Sequence, residues 1–212
     1  YHFRIKATNA FGTSYGQDLV FFTGIPEIPN FSFENWTEQH ILYPDGWEFR
    51  NGIITQCTTA CQNNYALKIQ NDTLSSSSPG SILLGRTFDH GQTIEGGIPF
   101  NSRPDSVMGC FNFDIPDNDT ALMLVVLKKQ GIHLSYEWFE IIGSSHGDFV
   151  EVKFPIHYSQ PGIPDSLIIG FTCADVFQML PQLSYSSYLI VDNVRFIGTN
   201  ESFYNNDFEI WD

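Results

Sequence analysis

Apolar and polar residues alternate in short runs along most of the chain, and turn-forming residues separate these runs. Alternation with a period of two is typical of half-buried β-strands, which Gly, Pro, Asn, Asp and Ser interrupt. No stretch keeps a helical period over ten residues. The pattern predicts strands at 65–70, 81–85, 106–114, 121–129, 134–142, 149–155, 166–172 and 188–197. The predicted fold class is therefore all-β, an antiparallel β-sandwich of the jelly-roll kind.

The first 24 residues form a separate pattern. Alternating runs at 1–9 and 19–23 flank a Gly-containing turn, which predicts an N-terminal β-hairpin. The phrase Tyr-x-Phe-Arg-x-Lys-Ala-x-Asn-x-x-Gly at 1–12 resembles the last two strands of a fibronectin type III domain, with Tyr1 near the tyrosine-corner position. A hairpin cannot bury its inner face alone, so we expect it to dock on the following domain or to pair with a neighbouring chain. Because the chain opens in mid-pattern, we expect it to be a piece of a longer protein.

The remaining boundaries follow from proline content and polarity. Two prolines in 25–29 predict a semi-rigid linker, and the sandwich is expected to occupy 30–198. The segment 199–212 is polar, acidic and rich in Asn. We expect this tail to leave the domain, with Phe203, Phe208 and Trp211 touching its surface.

The charge balance excludes some partners. The chain has 10 Lys and Arg against 24 Asp and Glu, a formal net charge of −14. Nucleic acids and anionic membrane surfaces need clustered basic side chains, so neither is an expected partner. No run of eighteen apolar residues is present to insert into a membrane. Neutral glycans and cations such as calcium remain compatible with this charge.

Four cysteines bear on the compartment. Cys57 and Cys61 lie in a polar, turn-like stretch and are predicted to close a small disulfide loop, while Cys110 and Cys173 lie in strand-like runs and are predicted to be buried. The Cys57/Cys61 spacing also suits half of a zinc site, but no second Cys or His pair with zinc-ligand spacing follows. A disulfide would favour an oxidising, extracytoplasmic location.

A series of short phrases resembles one family. They are FENW at 33–36, YPDGW at 43–47, PGSI at 79–82, GIPFNSRPD at 97–105, LKK at 127–129, PDSLII at 164–169 and LIVDNV at 189–194. Over residues 28–198 the chain is similar to the putative carbohydrate metabolism domain of Bacteroidetes surface proteins, a jelly-roll module often preceded by immunoglobulin-like or fibronectin-like domains. The resemblance implies extracellular glycan handling on a cell surface. It supplies no catalytic residues, and the segment around Cys57 and Cys61 is not typical of the family.

Candidate ligand-binding residues are aromatic and polar. A sugar ring presents an apolar C–H face to an exposed aromatic ring, while polar side chains bind its hydroxyls. The candidates are Trp138, Tyr136, Trp47, Arg103 and Asn101. Alternation places Trp138 and Tyr136 on one face of a strand. The alternative for Trp47, as for Trp36, is packing in the core. The alternative for Arg103 is a hydrogen-bonded pin within its own loop.

Glu34 and Asp192 are the candidate metal ligands. They belong to the first and last strands of the predicted sandwich, which commonly lie side by side in a jelly roll. Carboxylate oxygens suit calcium, so a structural calcium ion is the expected cofactor if there is one. The alternative is that both are edge carboxylates, exposed or hydrogen-bonded.

These observations predict an extracytoplasmic, non-catalytic module that binds or presents glycans within a multidomain surface protein. One alternative is a glycoside hydrolase or lyase, which would need two carboxyl groups flanking a cleft. The carboxylates available for that role are Glu137, Glu140, Asp148, Glu151 and Asp175. A second alternative is a purely structural adhesin module, which would bury every tryptophan.

Overall fold

The computed structural model describes residues 1–21, 34, 36, 41–72, 79–88, 93–177, 183–184 and 186–212. For residues 86–88 and 93–95 it describes the backbone alone. The chain divides into two compact units, Tyr1–His40 and Ile41–Asp212, and each is described by itself. The predicted linker at 25–29 lies outside the described residues. Among the described residues, no helix is long and apolar enough to cross a lipid bilayer.

The first unit contains four short strands, β1 (His2–Phe3), β2 (Lys6–Asn9), β3 (Gly12–Tyr15) and β4 (Leu19–Val20). β1 pairs with β4 and β2 pairs with β3, both antiparallel, so the pairing of the two ends of the predicted hairpin is confirmed. The segment predicted as its turn contains the strand β3. The side chains of its strands are exposed. Its kinship with fibronectin type III domains stays a prediction.

The second unit is built from antiparallel strands. They are β5 (Glu48–Asn51), β6 (Ile53–Cys57), β7 (Ala66–Gln70), β8 (Ser81–Leu84), β9 (Arg86–Phe88), β10 (Thr93–Glu95), β11 (Ile98–Pro99), β12 (Ser106–Ile115), β13 (Ala121–Lys129), β14 (Ile132–Ile141), β15 (Gly143–Ser144), β16 (Val150–Pro155), β17 (Ser166–Thr172) and β18 (Tyr188–Ile197). Each of the eight strands predicted from alternation corresponds to one of these strands.

Two six-stranded sheets form the sandwich. The first has the order β14–β13–β17–β8–β5, with β11 also paired to β17. The second has the order β15–β12–β18–β7–β6, with β16 also paired to β12. Val125 and Ile169 of the first sheet join Leu67 and Phe111 of the second in one fully buried cluster. The predicted all-β sandwich is therefore confirmed.

The central strand β13 is buried on both faces. Met123 and Val125 point into the core between the sheets, whereas Leu124 and Val126 belong to a second apolar cluster. Because successive side chains of a strand point to opposite faces, this second cluster lies on the side of the first sheet that faces away from the sandwich core. We call that side the outer face.

The tail prediction is wrong. Phe203 and Phe208 are only 6% and 0% exposed and belong to the main core. The chain end also pairs with the start of the unit, since Trp211 forms a β-bridge with Pro44. The Asn-rich composition suggested a solvated segment, but these amides bond to the backbone. Asn205, for example, donates from Nδ2 to the carbonyl oxygen of Ile210 at 2.9 Å and accepts from the N–H of Ile210 at 3.1 Å.

Candidate functional site

The outer face is defined by the register of the first sheet. Leu122, Leu124 and Val126 of β13 lie opposite Glu140, Trp138 and Tyr136 of β14. Leu124 and Val126 belong to the second cluster, so Trp138 and Tyr136 lie on the same outer face. The structure thereby brings together these two predicted ligand-binding residues.

Four rings make a continuous set of contacts on this face. The ring centroids of His133 and Tyr136 lie 5.3 Å apart, those of Tyr136 and Trp138 6.4 Å apart, and those of Trp138 and Phe177 5.0 Å apart. Tyr136 is 44% exposed and Phe177 is 62% exposed. We call His133, Tyr136, Trp138 and Phe177 the aromatic ribbon. It presents apolar ring surface to solvent along the edge strand β14 and onto the loop after β17.

Trp138 anchors the ribbon to the sheet. Its side chain is half-buried and packs on the second cluster, which consists of Leu83, Leu124, Val126 and Ile168. Its indole Nε1 is buried and has no hydrogen-bond partner among the described residues. Burial of this donor without a partner lowers the stability of the fold.

The floor beneath the ribbon is tightly packed. A Cβ placed on Gly170 would lie 2.6 Å from Cδ1 of Leu83 and 3.0 Å from the carbonyl oxygen of Ile82. A glycine at this position of β17 therefore lets β8 approach closely. The Trp138 ring packs on the cluster that contains Leu83. Its side chain would therefore lose little conformational entropy when a ligand binds.

Trp47 does not belong to this site. It is 6% exposed, its ring packs against Phe171 and Phe208, and its Nε1–H donates to the carbonyl oxygen of Asn205 at 3.2 Å. The prediction that Trp47 stacks on a ligand is wrong, and the alternative of core packing is confirmed. The indole fills the junction between the two ends of the second unit. Trp36, by contrast, is 82% exposed.

Arg103 is used within the protein. Its guanidinium lies 3.6 Å from the ring centroid of Tyr158 and donates to the carbonyl oxygens of Gln160 and Gly162 at 3.2 and 2.6 Å. Burial raises the pKa of Tyr158 to about 12, although the adjacent Arg103 lowers it. Arg103 therefore stabilises its own loop region, which was the alternative interpretation of this residue. The prediction that Arg103 binds a ligand is wrong.

Asn101 lies in the same loop, with an exposed side chain. Its backbone N–H donates to the Glu201 carboxylate at 2.9 Å. No contact among the described residues connects its side chain to the ribbon, so its part in ligand binding stays a prediction.

The disulfide prediction is wrong in its pairing. Cys61 bonds to Cys110, 49 residues away, and Cys57 is free. The partner is set by tertiary structure, because the segment after β6 folds over the outer side of the second sheet, where Cys110 is the cross-strand neighbour of Asp192. Cys110 and Cys173 are buried as predicted.

The carboxylate of Asp192 forms hydrogen bonds with the same segment. Its side chain is fully buried, and Oδ2 accepts the backbone N–H groups of Cys61 and Gln62 at 2.8 and 2.9 Å. Its Oδ1 has no partner among the described residues. The nearby Glu209 carboxylate is likewise engaged with N–H donors, those of Asn64 and Tyr65.

This environment does not fit a calcium ligand set. N–H groups are the partners of an anion, and the described residues contain no group of three His, Cys, Asp or Glu side chains able to hold a metal ion. Glu34, the other predicted ligand, is exposed and belongs to the first unit. Calcium binding stays a prediction.

The buried carboxyl of Asp192 gives a prediction for pH dependence. Burial raises its pKa above the ordinary value of 3.8, and the N–H bonds from Gln62 and Cys61 lower it by less. The folded protein thus binds this proton more tightly than the unfolded chain, so the contribution to stability grows as pH falls from the folded pKa towards 3.8. We therefore compare the unfolding free energies of the wild type and Asp192→Asn. The difference, wild type minus variant, is expected to rise as the pH falls.

Urea denaturation of both proteins between pH 7 and pH 4 measures this difference. Glu209, the neighbouring carboxylate that also raises the Asp192 pKa, is present in both proteins. A difference that shrinks as pH falls would mean that the hydrogen bonds outweigh burial, which contradicts the prediction.

The carboxylates considered for catalysis do not converge. Glu137 and Glu140 are three residues apart on β14, so alternation places them on opposite faces. Glu137 lies 3.3 Å from Nδ1 of His157, and Glu151, in the other sheet, accepts from Arg195 at 2.6 Å. These contacts give no paired acid and base around a cleft among the described residues.

The sequence did not identify two members of the ribbon. Phe177 lies in a loop where no periodicity applies, and only its ring contact with Trp138 reveals it. His133 is three residues from Tyr136, a spacing that regular alternation assigns to the other face. A register shift between Leu127 and Lys128 of the partner strand locally breaks the regular pairing.

Comparison with known proteins supports the fold. No family model matches the chain, and no curated protein is similar to it in sequence. The chain is similar to the structure of a putative glycoside hydrolase from Bacteroides thetaiotaomicron, with a TM-score of 0.53 and 14% identity over 70% of this chain. It spans 57% of the length of that structure.

Two carbohydrate-binding modules show weaker structural similarity. A family 11 module from Clostridium thermocellum, in complex with a β-1,3-1,4-mixed-linked tetrasaccharide, gives a TM-score of 0.41 at 11% identity, covering 74% of this chain and 91% of that one. A family 16 module gives a TM-score of 0.40 at 9% identity, covering 72% and 91%.

Proposed function

We propose that the second unit is a non-catalytic glycan-binding module whose ligand lies on the aromatic ribbon. The observation that carries the proposal is the unbroken series of ring contacts from His133 to Phe177 on one exposed face. Contiguous exposed apolar surface on a folded protein often marks a ligand-binding site. Neighbouring ring centroids 5.0 to 6.4 Å apart spread aromatic surface over a length that suits an oligosaccharide of several sugar rings.

The chemistry of the ribbon suits a sugar ligand. Tyr136 offers a hydroxyl and His133 a ring nitrogen beside their apolar faces, so C–H surface and hydroxyl groups can be bound together. His133, Tyr136 and Trp138 belong to a strand of the sheet, so few of their rotamers need to be frozen on binding. Recognition would combine stacking on Tyr136 and Phe177 with hydrogen bonds at their edges.

The Cys61–Cys110 disulfide supports an extracytoplasmic location, because such bonds persist in oxidising compartments. A multidomain surface protein is the context we propose, with the N-terminal hairpin as part of a fibronectin-like neighbour.

Substitution of the exposed rings tests the proposal. We expect Tyr136→Ala and Phe177→Ala each to weaken glycan binding about fivefold to tenfold, because a lost aromatic contact removes roughly 1 kcal/mol. Affinity electrophoresis against soluble glucans, xylans and mannans, followed by calorimetry with the best ligand, measures the loss. Phe11→Ala is the matched control, since Phe11 is 98% exposed in the first unit.

The same measurements separate the alternatives. Equal retardation of wild type, Tyr136→Ala and Phe11→Ala, all with unchanged melting temperatures, would contradict binding at the ribbon. Release of reducing sugar from any of the polysaccharides would indicate a hydrolase instead. Absence of retardation across the panel would favour a structural adhesin.

A further inference from the structure

We infer that the aromatic ribbon selects neutral glycans and rejects polymers of uronic acids. This inference rests on the proposed function, since it concerns the ligand class of the same site. It comes from the charged groups around the ribbon, which are independent of the ring contacts that suggest sugar binding.

Carboxylates flank the part of the ribbon around Trp138. Glu140 is exposed and lies two residues beyond Trp138 on the same face of β14, since its cross-strand partner is Leu122. Asp175 lies two residues before Phe177 and accepts the backbone N–H of Phe177 at 2.8 Å. The register places Glu140 and the end of β17, which leads into the Asp175 loop, in one cross-strand row through Leu122. A ligand that spans Trp138 and Phe177 therefore lies near two negative charges.

Of the cationic side chains of the first sheet, Lys129 is exposed but shares the face of Leu127, away from the ribbon, and Arg50 and Lys128 have interactions of their own. Arg50, on the far edge strand β5, forms an ion pair with Glu48 at 3.0 Å. Lys128 lies at the His133 end of β13 but is only 6% exposed and has interactions of its own. The net charge of −14 adds a negative field over the whole surface.

A uronate and a neutral sugar would experience this surface differently. Stacking of a C–H face on an aromatic ring does not depend on the charge at C6, so both could make that contact. The uronate carboxylate would also lie within a few ångströms of Glu140 or Asp175, and like charges repel at this range. Acid recognition normally supplies an arginine fork, and the guanidinium of Arg103 is already committed to Gln160 and Gly162.

The experiment compares two probes that have the same backbone and differ only in the group at C6. One is a β-1,4-glucan oligosaccharide, and the other is the β-1,4-glucuronan oligosaccharide of the same length, with a carboxylate at every C6. Binding is measured by calorimetry at pH 8. We expect the acidic probe to bind about tenfold more weakly at 10 mM salt, and the difference to shrink to about twofold at 1 M, where the screening length is about 3 Å.

A charge variant assigns the effect to the ribbon. Glu140→Gln is expected to raise the affinity for the acidic probe relative to the neutral one about threefold at low salt. Asp148→Asn is the matched control, because it removes one exposed negative charge from the loop between β15 and β16 and should leave the ratio unchanged.

The outcomes separate this inference from the proposed function. Weaker binding of the acidic probe that Glu140→Gln partly restores supports neutral selectivity. Equal or tighter binding of the acidic probe, lost in Tyr136→Ala, would overturn the selectivity while glycan binding at the ribbon stands. If neither these probes nor the wider polysaccharide panel binds, the proposed function fails and the selectivity fails with it.

Discussion

Replacing Cys61 by serine is expected to lower the unfolding free energy by about 4 kcal/mol. The Cys61–Cys110 bond spans 49 residues, and closing a loop of that length removes substantial conformational entropy from the unfolded chain. The bond also holds the segment whose N–H groups donate to Oδ2 of the buried Asp192. Chemical denaturation under non-reducing conditions measures the loss, and Cys110→Ser should reproduce it.

Cys57→Ser is the control that distinguishes the two pairings. Cys57 is a free, half-buried thiol four residues before Cys61, so its replacement should change the unfolding free energy by less than about 1 kcal/mol. Reduction should destabilise the wild type and Cys57→Ser but leave Cys61→Ser unaffected. A large loss in Cys57→Ser, with Cys110→Ser nearly neutral, would restore the local loop that the sequence suggested.

The pairing shows where reasoning from the sequence ends. Two cysteines four residues apart in a polar stretch suggest a local loop, and nothing in that stretch refers to β12. Cys110 becomes the partner only because the strand register places it beside Asp192, under the returning segment. The order of the strands in the sheet brings these two cysteines together across 49 residues. Alternation of apolar and polar residues predicts strands but not their order.

Strands with strong apolar character were predictable. The bounds of β13, β17 and β18 match the prediction, because continuous buried runs end at clear turn residues. The short strands β9, β10, β11 and β15 were missed, and so were β5 and β6. Both are edge strands with several exposed positions, so pairing on one side alone imposes little pattern on their sequences.

Two of the four ribbon residues could be predicted from the strand pattern of the sequence. Trp138 and Tyr136 follow the period of a strand, so alternation alone is enough to place them on one face. Phe177 joins them from a loop, and the burial of Trp47 depends on Phe208 and Asn205 near the far end of the chain. Neither contact can be recognised from the residues that are adjacent in the sequence. Tertiary packing decides which aromatic residues remain accessible to a ligand.

Phe208→Ala is expected to lower the unfolding free energy by about 3–5 kcal/mol, the range for deleting a large buried ring. Phe208 is 0% exposed, and its ring centroid lies 5.0 Å from that of Trp47. Its removal leaves a cavity where the two ends of the second unit meet. Urea denaturation measures the loss, with Ile210→Ala as the control.

Ile210 belongs to the same tail but is 46% exposed, so its truncation should cost less than about 1 kcal/mol. Because the cavity would adjoin Trp47, the indole fluorescence of folded Phe208→Ala should also differ from that of the wild type. A tail that merely touched the surface would give similar, small losses for Phe208→Ala and Ile210→Ala. That result would contradict the buried position of Phe208 and, with it, the assignment of residues 199–212 to the core of the second unit.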